Sequence, residues 1–253
     1  MKKITLWLCL MLSLAILPPV ALASSAGAGI SAVEATRILK EGNERYVEGK
    51  ARHPHQGRER RALTSAQGQH PLATVLTCSD SRVPPEIIFD QGLGDLFVVR
   101  VAGNVAATDE IGSIEYAVDH LNTPLVVVMG HTQCGAVSAV LNNAKLPPNI
   151  AALTEPIKPA VAQAKADHPG AAQDVLLAAA IKDNVWQAIA DMLEQSPILR
   201  DKIKAGQVRV VGAVYDIDTG KVEWLGPHPD QASLIGAPKS TGRKRKKARE
   251  SEE

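Results

Sequence analysis

Four short apolar runs rich in β-branched residues, at 72–77, 96–101, 125–129 and 208–215, are separated by stretches long enough to hold helices. This spacing constrains the fold more than any other feature of the chain. Parallel strands need a crossover of about a dozen residues or more between them. Strands buried on both faces read as continuous apolar runs rather than as an alternation of apolar and polar residues. The expected class is therefore α/β, with a mainly parallel sheet of four strands and helices on both of its faces. A fifth run, 221–225, follows the fourth across the turn Asp218-Thr219-Gly220. That connection is too short for a crossover, so the pair should be an antiparallel hairpin at an edge.

Helices are expected at 31–48, 58–67, 109–121, 134–144, 155–168 and 172–194. The first opens with Ser31 and has Glu34 three residues on, a capping-box pattern. In 109–121, Ile111, Ile114, Val118 and Leu121 fall at helical spacing, and in 172–194 Val185, Ala188, Ile189 and Met192 share a face. The first two helices form an N-terminal arm ahead of the sheet. Aromatic residues make up only 3% of the chain, so aliphatic side chains and Ala must build the core.

The two ends read differently from the middle. Lys2 and Lys3 precede an apolar stretch that ends at Pro18-Pro19, and Ala21-Leu22-Ala23 supplies a small-x-small site. Residues 1–23 therefore read as a secretory signal peptide, which makes the protein exported and periplasmic. The apolar stretch is short for a bilayer span of about 20 residues, and no stable membrane insertion is expected after its removal. Residues 24–30 form a flexible lead, 31–238 a single domain and 239–253 a disordered basic tail with seven basic and three acidic residues. The overall charge of +1 thus hides a mildly acidic body, which argues against a nucleic-acid partner.

Two segments carry chemistry. Cys78-Ser79-Asp80-Ser81-Arg82 follows the first run, and His131-Thr132-Gln133-Cys134-Gly135 follows the third. Both lie at the carboxyl ends of expected parallel strands, the edge where ligands bind in open α/β sheets. Cys78, His131 and Cys134 would make a Cys2His set, an arrangement that suits catalytic zinc with a fourth position for water. Asp80 and Arg82 are two residues apart, a spacing that allows a bidentate ion pair. In an oxidising compartment a plain Cys78–Cys134 disulfide is the competing reading.

These two segments, with Val83-Pro84 after the first, resemble the β-class carbonic anhydrases. The resemblance extends through Gly42-Asn43-Glu44-Arg45-Tyr46, Gln69-His70-Pro71, Leu96-Phe97-Val98-Val99-Arg100, Ala102-Gly103-Asn104 and Ser113-Ile114-Glu115-Tyr116-Ala117-Val118. It implies a zinc enzyme that hydrates carbon dioxide reversibly to bicarbonate and a proton. It gives Cys78, His131 and Cys134 the zinc, and Asp80 and Arg82 the role of catalytic dyad. Gln69, Phe97 and Tyr116 would line a substrate pocket on a neighbouring subunit, with Gly103 in a flanking segment. A homodimer or dimer-based tetramer is implied, and His70 and His120 are candidate proton shuttles. Val75 and Thr77 stand where bicarbonate-regulated bacterial members have Trp and Gly, which implies an open, plant-like site with water as the fourth ligand. The alternatives are a related hydrolase of carbonyl sulfide or carbon disulfide, and a non-enzymatic, disulfide-stabilised exported protein.

Overall fold

The computed structural model describes residues 29–236. The expected signal peptide, most of the flexible lead and the basic tail lie outside the described residues. Within them, each apolar run of the sequence becomes a strand. β1 is Ala73–Thr77, β2 Leu96–Arg100, β3 Leu125–His131, β4 Arg209–Tyr215 and β5 Val222–Gly226. They form one sheet in the order β2-β1-β3-β4-β5. The first three pairings are parallel, and β5 runs antiparallel to β4 at the edge with a bulge at Gly212/Ala213.

Alternate strand residues serve opposite faces, as the pleat requires. Leu76, Val99, Val126, Val128 and Val210 belong to one core cluster, and Ala73, Val75, Leu96, Val127, Met129 and Val211 to another. The first face is covered by α4 (Thr108–Asp119), α8 (Gln173–Gln195) and α9 (Pro197–Lys204). The second is covered by α1 (Ala32–Val47) and α3 (Pro85–Ile88). A third cluster gathers α5 (Gly135–Leu141), α7 (Lys158–Asp167) and the start of α8 around Cys78 and Cys134. α2 (Arg58–Gln67), α6 (Pro148–Thr154) and α10 (Gln231–Leu234) complete the helices.

The expected N-terminal arm is present. The Ser31 hydroxyl accepts from the Glu34 N–H and caps α1. α1 sits so close to α3 that a Cβ at Gly42 would lie 1.9 Å from the Phe89 carbonyl oxygen. The buried Asn43 side chain next to it donates to the carbonyls of Ile88 and Gly220 and accepts from the Val222 N–H. Arg45 pairs with the fully buried Asp90 carboxylate at 2.6 Å. The Gly42–Arg45 stretch thus ties the arm to α3 and to the β4–β5 turn. By contrast, no residue of α2 is buried within one chain.

The helix boundaries differ from expectation in several places. The helix expected at 134–144 is the shorter α5, followed by Asn143 with a positive φ of 52°. The segment 155–168 divides into a 3-10 turn, Glu155–Ile157, and α7. Four helices are additional: α3, α6, α9 and α10. The first three carry Pro at their starts, where the missing N–H costs nothing because no helical partner exists for it.

Candidate metal centre

β1 and β3 are neighbours and parallel, with Thr77 opposite Met129. Cys78 therefore leaves the sheet beside Gly130 and His131, at the same carboxyl edge. Thr77 strengthens this junction by donating its hydroxyl to the Met129 carbonyl at 2.9 Å. From His131 the chain turns through Gln133, whose φ is +59°, and Cys134 then caps α5. The result is that Sγ of Cys78, an imidazole nitrogen of His131 and Sγ of Cys134 all lie within 4.8 Å of one another, and all three residues are buried. Both cysteines are free in this structure, and an imidazole nitrogen lies within reach of both sulfurs.

The histidine decides what such a cluster is for. His131 Nδ1 lies 2.8 Å from the Thr132 carbonyl oxygen. A carbonyl only accepts, so Nδ1 carries the proton and the Nε2 lone pair of the neutral ring is left free. His131 is fully buried, and Nε2 has no hydrogen-bond partner. Leaving a buried polar atom unsatisfied costs about 1–3 kcal/mol. An unpaired nitrogen next to two thiols, with its other nitrogen fixed by a backbone carbonyl, has the form of a metal ligand with its supporting hydrogen bond. Thr132 is itself held, its N–H donating to Tyr215 and its hydroxyl accepting from the Ile217 N–H.

The two sulfurs have different surroundings. Cys78 accepts from the Gly103 N–H at 3.2 Å. The hydrogen bond with Cys134 draws the Cys78 thiol well below the ordinary thiol range, with further help from His131 and Gly103, and burial opposes the shift. The same contact, together with burial, pushes Cys134 up.

Asp80 sits at the mouth of this group, with one oxygen 4.0 Å from His131 Nε2. Arg82 holds it in a bidentate grip, Nε to Oδ1 at 3.0 Å and an outer nitrogen to Oδ2 at 2.8 Å, and the Arg82 backbone N–H adds a third bond. The Arg82 bonds keep the Asp80 carboxyl well below the usual carboxylate range, against the opposing effect of burial. Arg100 fixes the loop beneath by donating to the carbonyls of Cys78 and Asp80. Arg100 was not foreseen as a site residue, although it closes the quoted Leu96–Arg100 motif.

The other expected site residues are distributed as follows. Gly103 is at the centre, buried, with a φ of +76°. A Cβ there would lie 2.7 Å from Ile157 Cδ1, so the turn needs glycine on two counts. Phe97 and Tyr116 meet each other with ring centroids 6.2 Å apart, and His120 stacks on Tyr116 at 5.1 Å. They are not beside the metal group of their own chain. Phe97 pairs in register with Thr74, four residues before Cys78, which is about 13 Å along the strand. Gln69 is exposed and precedes β1, toward the same far end of the sheet.

A family model described as carbonic anhydrase matches residues 73–222. The chain belongs to the β-class carbonic anhydrases. "Carbonic anhydrase 2" of Mycobacterium tuberculosis is 42% identical over 193 residues, covering 75% of this chain and 90% of that relative. Among solved structures, the β-carbonic anhydrase CafA of Aspergillus fumigatus superposes with a TM-score of 0.65 at 26% identity, over 81% of this chain and 98% of that one. One of two tetrameric β-carbonic anhydrases from Sordaria macrospora gives a TM-score of 0.60 at 27% identity, over 74% and 94%. The activity is accordingly that of a carbonic anhydrase, the interconversion of carbon dioxide and bicarbonate. The Cys78–His131–Cys134 group is able to hold a metal ion. Among the described residues, no helix is long and apolar enough to cross a membrane.

Proposed function

We propose that this β-carbonic anhydrase works with Zn2+ held by Cys78, His131 and Cys134, and that its substrate pocket is completed by a second copy of the chain. The observation that carries the metal reading is the buried, unpartnered Nε2 of His131 between two free thiols. Soft sulfur and imidazole nitrogen favour zinc over magnesium or calcium. Bound there, zinc would lower the pKa of a water molecule so that the nucleophile for carbon dioxide exists near neutral pH.

The chain's own residues do the rest. Asp80, ionised and gripped by Arg82, accepts a hydrogen bond from the nucleophile and points its lone pair toward carbon dioxide. Arg82 fixes the direction of that acceptor rather than touching substrate. Gln69 of a second copy would donate to an oxygen of the bicarbonate formed. Phe97 and Tyr116 of that copy would supply apolar walls for carbon dioxide, with His120 stacked on Tyr116 as a group able to carry a proton outward. The far position of these residues from their own metal group supports the two-chain pocket, and the tetrameric Sordaria relatives are in keeping with it. Export to the periplasm belongs to the same proposal and rests on the pattern of residues 1–23.

The test is metal content together with stopped-flow hydration of carbon dioxide, on wild type and Cys134→Ala. One zinc per chain, with both zinc and hydration lost in the variant, is the expected result. A wild type that hydrates carbon dioxide without zinc, or a C134A protein that keeps its zinc, would refute the ligand assignment.

A further inference from the structure

The buried residues of α8 are Ala180, Ile181, Asn184, Val185, Ala188, Ile189, Met192 and Leu193. Asn184 is the one polar side chain among them, and it is 1% exposed. Burying an amide on an apolar helix face is unfavourable unless it finds partners. Its Nδ2 donates to the Gly103 carbonyl at 2.7 Å. Gly103 is the residue whose N–H donates to Cys78 Sγ. The side chains on either side of Asn184 pack against the other arm of the centre. A Cβ on Gly130, which precedes His131, would lie 2.9 Å from Val185 Cγ2 and 3.4 Å from Ile181 Cγ2. One stretch of α8 therefore backs both the Cys78 arm and the His131 arm.

From this chain of contacts we infer that Asn184 is a positioning residue for the metal centre, holding Gly103 in its left-handed turn so that the Gly103 N–H stays aimed at the Cys78 sulfur. An N–H bonded to a thiolate withdraws charge from it. A thiolate that keeps this bond gives less charge to a bound metal than a bare one. Asn184 thus sets how strongly Cys78 donates, from a distance and without touching metal or substrate. Its role rests on the metal reading above.

Co2+-substituted protein provides a readout that a purely structural role would not move. In Asn184→Ala the thiolate-to-Co2+ charge-transfer band should shift to longer wavelength. Because Cys78 is then no longer held in place for the metal, and this outweighs its stronger donation, the Co2+ affinity, measured against a competing chelator, should fall by about 10–100-fold. The control is Thr123→Ala, which removes a buried hydroxyl bonded to Thr74 at the opposite end of the sheet from the centre. It should lower the melting temperature while leaving the band and the affinity at wild-type values. If N184A fails to fold, Asn184→Ser, with a donor on a shorter arm, is measured in its place with the same expectation. A band and affinity unchanged in the position-184 variant, or changed equally in T123A, would overturn the assignment of Asn184 and leave the metal reading standing. A wild type that takes up no Co2+ would overturn both.

Discussion

Asp80 receives three hydrogen bonds from Arg82, and each of them favours the charged carboxylate. Its folded pKa therefore lies below the ordinary 3.8. A depressed pKa contributes stability that is present above the unfolded value and lost only as pH falls through the folded one. Removing the guanidinium moves the pKa back up toward 3.8, which is still far below neutrality. Asp80 is then ionised in both proteins across about pH 6 to 9. Arg82→Leu should accordingly lower kcat/KM by about 10²-fold, the scale of a misdirected catalytic group, by a similar factor at every pH in that range. Stopped-flow rates across the range check this. A new acidic limb in the variant would mean instead that Arg82 acts by keeping Asp80 ionised. At this scale the sequence was highly legible, because Cys78, Asp80, Arg82, His131 and Cys134 sit in two short segments whose spacing states their chemistry. Arg100 and Asn184 were not, because their roles pass through backbone carbonyls of Cys78, Asp80 and Gly103, and no spacing rule announces a side chain that bonds to a distant main chain.

Elements follow the same division. All five strands and the long helix α8 lie close to where apolar runs and helical periodicity put them. The helices that escaped notice are α3, α6, α9 and α10, of four, seven, eight and four residues. Segments that short give periodicity little room to repeat. The signal available for the first three was Pro85, Pro148 and Pro197, each at a helix start, where proline is favoured. α1 shows how an element is held by few contacts of high value. Because the Phe89 carbonyl would lie 1.9 Å from a Cβ at position 42, Gly42→Ala cannot be absorbed by a side-chain rotation. It should push α1 away from α3, strain the Asn43 bonds and destabilise the protein by about 3 kcal/mol. Urea unfolding at 25 °C, followed by circular dichroism, measures the loss. A change under 0.5 kcal/mol, the size of an ordinary surface substitution, would show that α1 is not fixed at this contact.

Across the whole molecule, the metal group lies at the carboxyl edge of the sheet, while Gln69, Phe97 and Tyr116 lie toward the opposite end. If a second copy completes each pocket, two differently damaged chains should repair one another. Cys134→Ala removes the metal and Gln69→Ala removes the donor, yet a mixed dimer contains one site with both intact. Random mixing of a symmetric dimer makes half the molecules mixed, so about a quarter of the sites should recover. Unfolding the two variants together and refolding them with zinc, then assaying hydration, checks this. Recovery no greater than the sum of the separate variants would refute the shared pocket. If each pocket needs two chains, dilution separates its halves. A chain on its own would keep its metal and its fold but not a whole pocket, so velocity would rise faster than in proportion to enzyme concentration near the dissociation constant of the dimer. The amount of protein present would then govern the turnover of each molecule as well as the number of molecules at work.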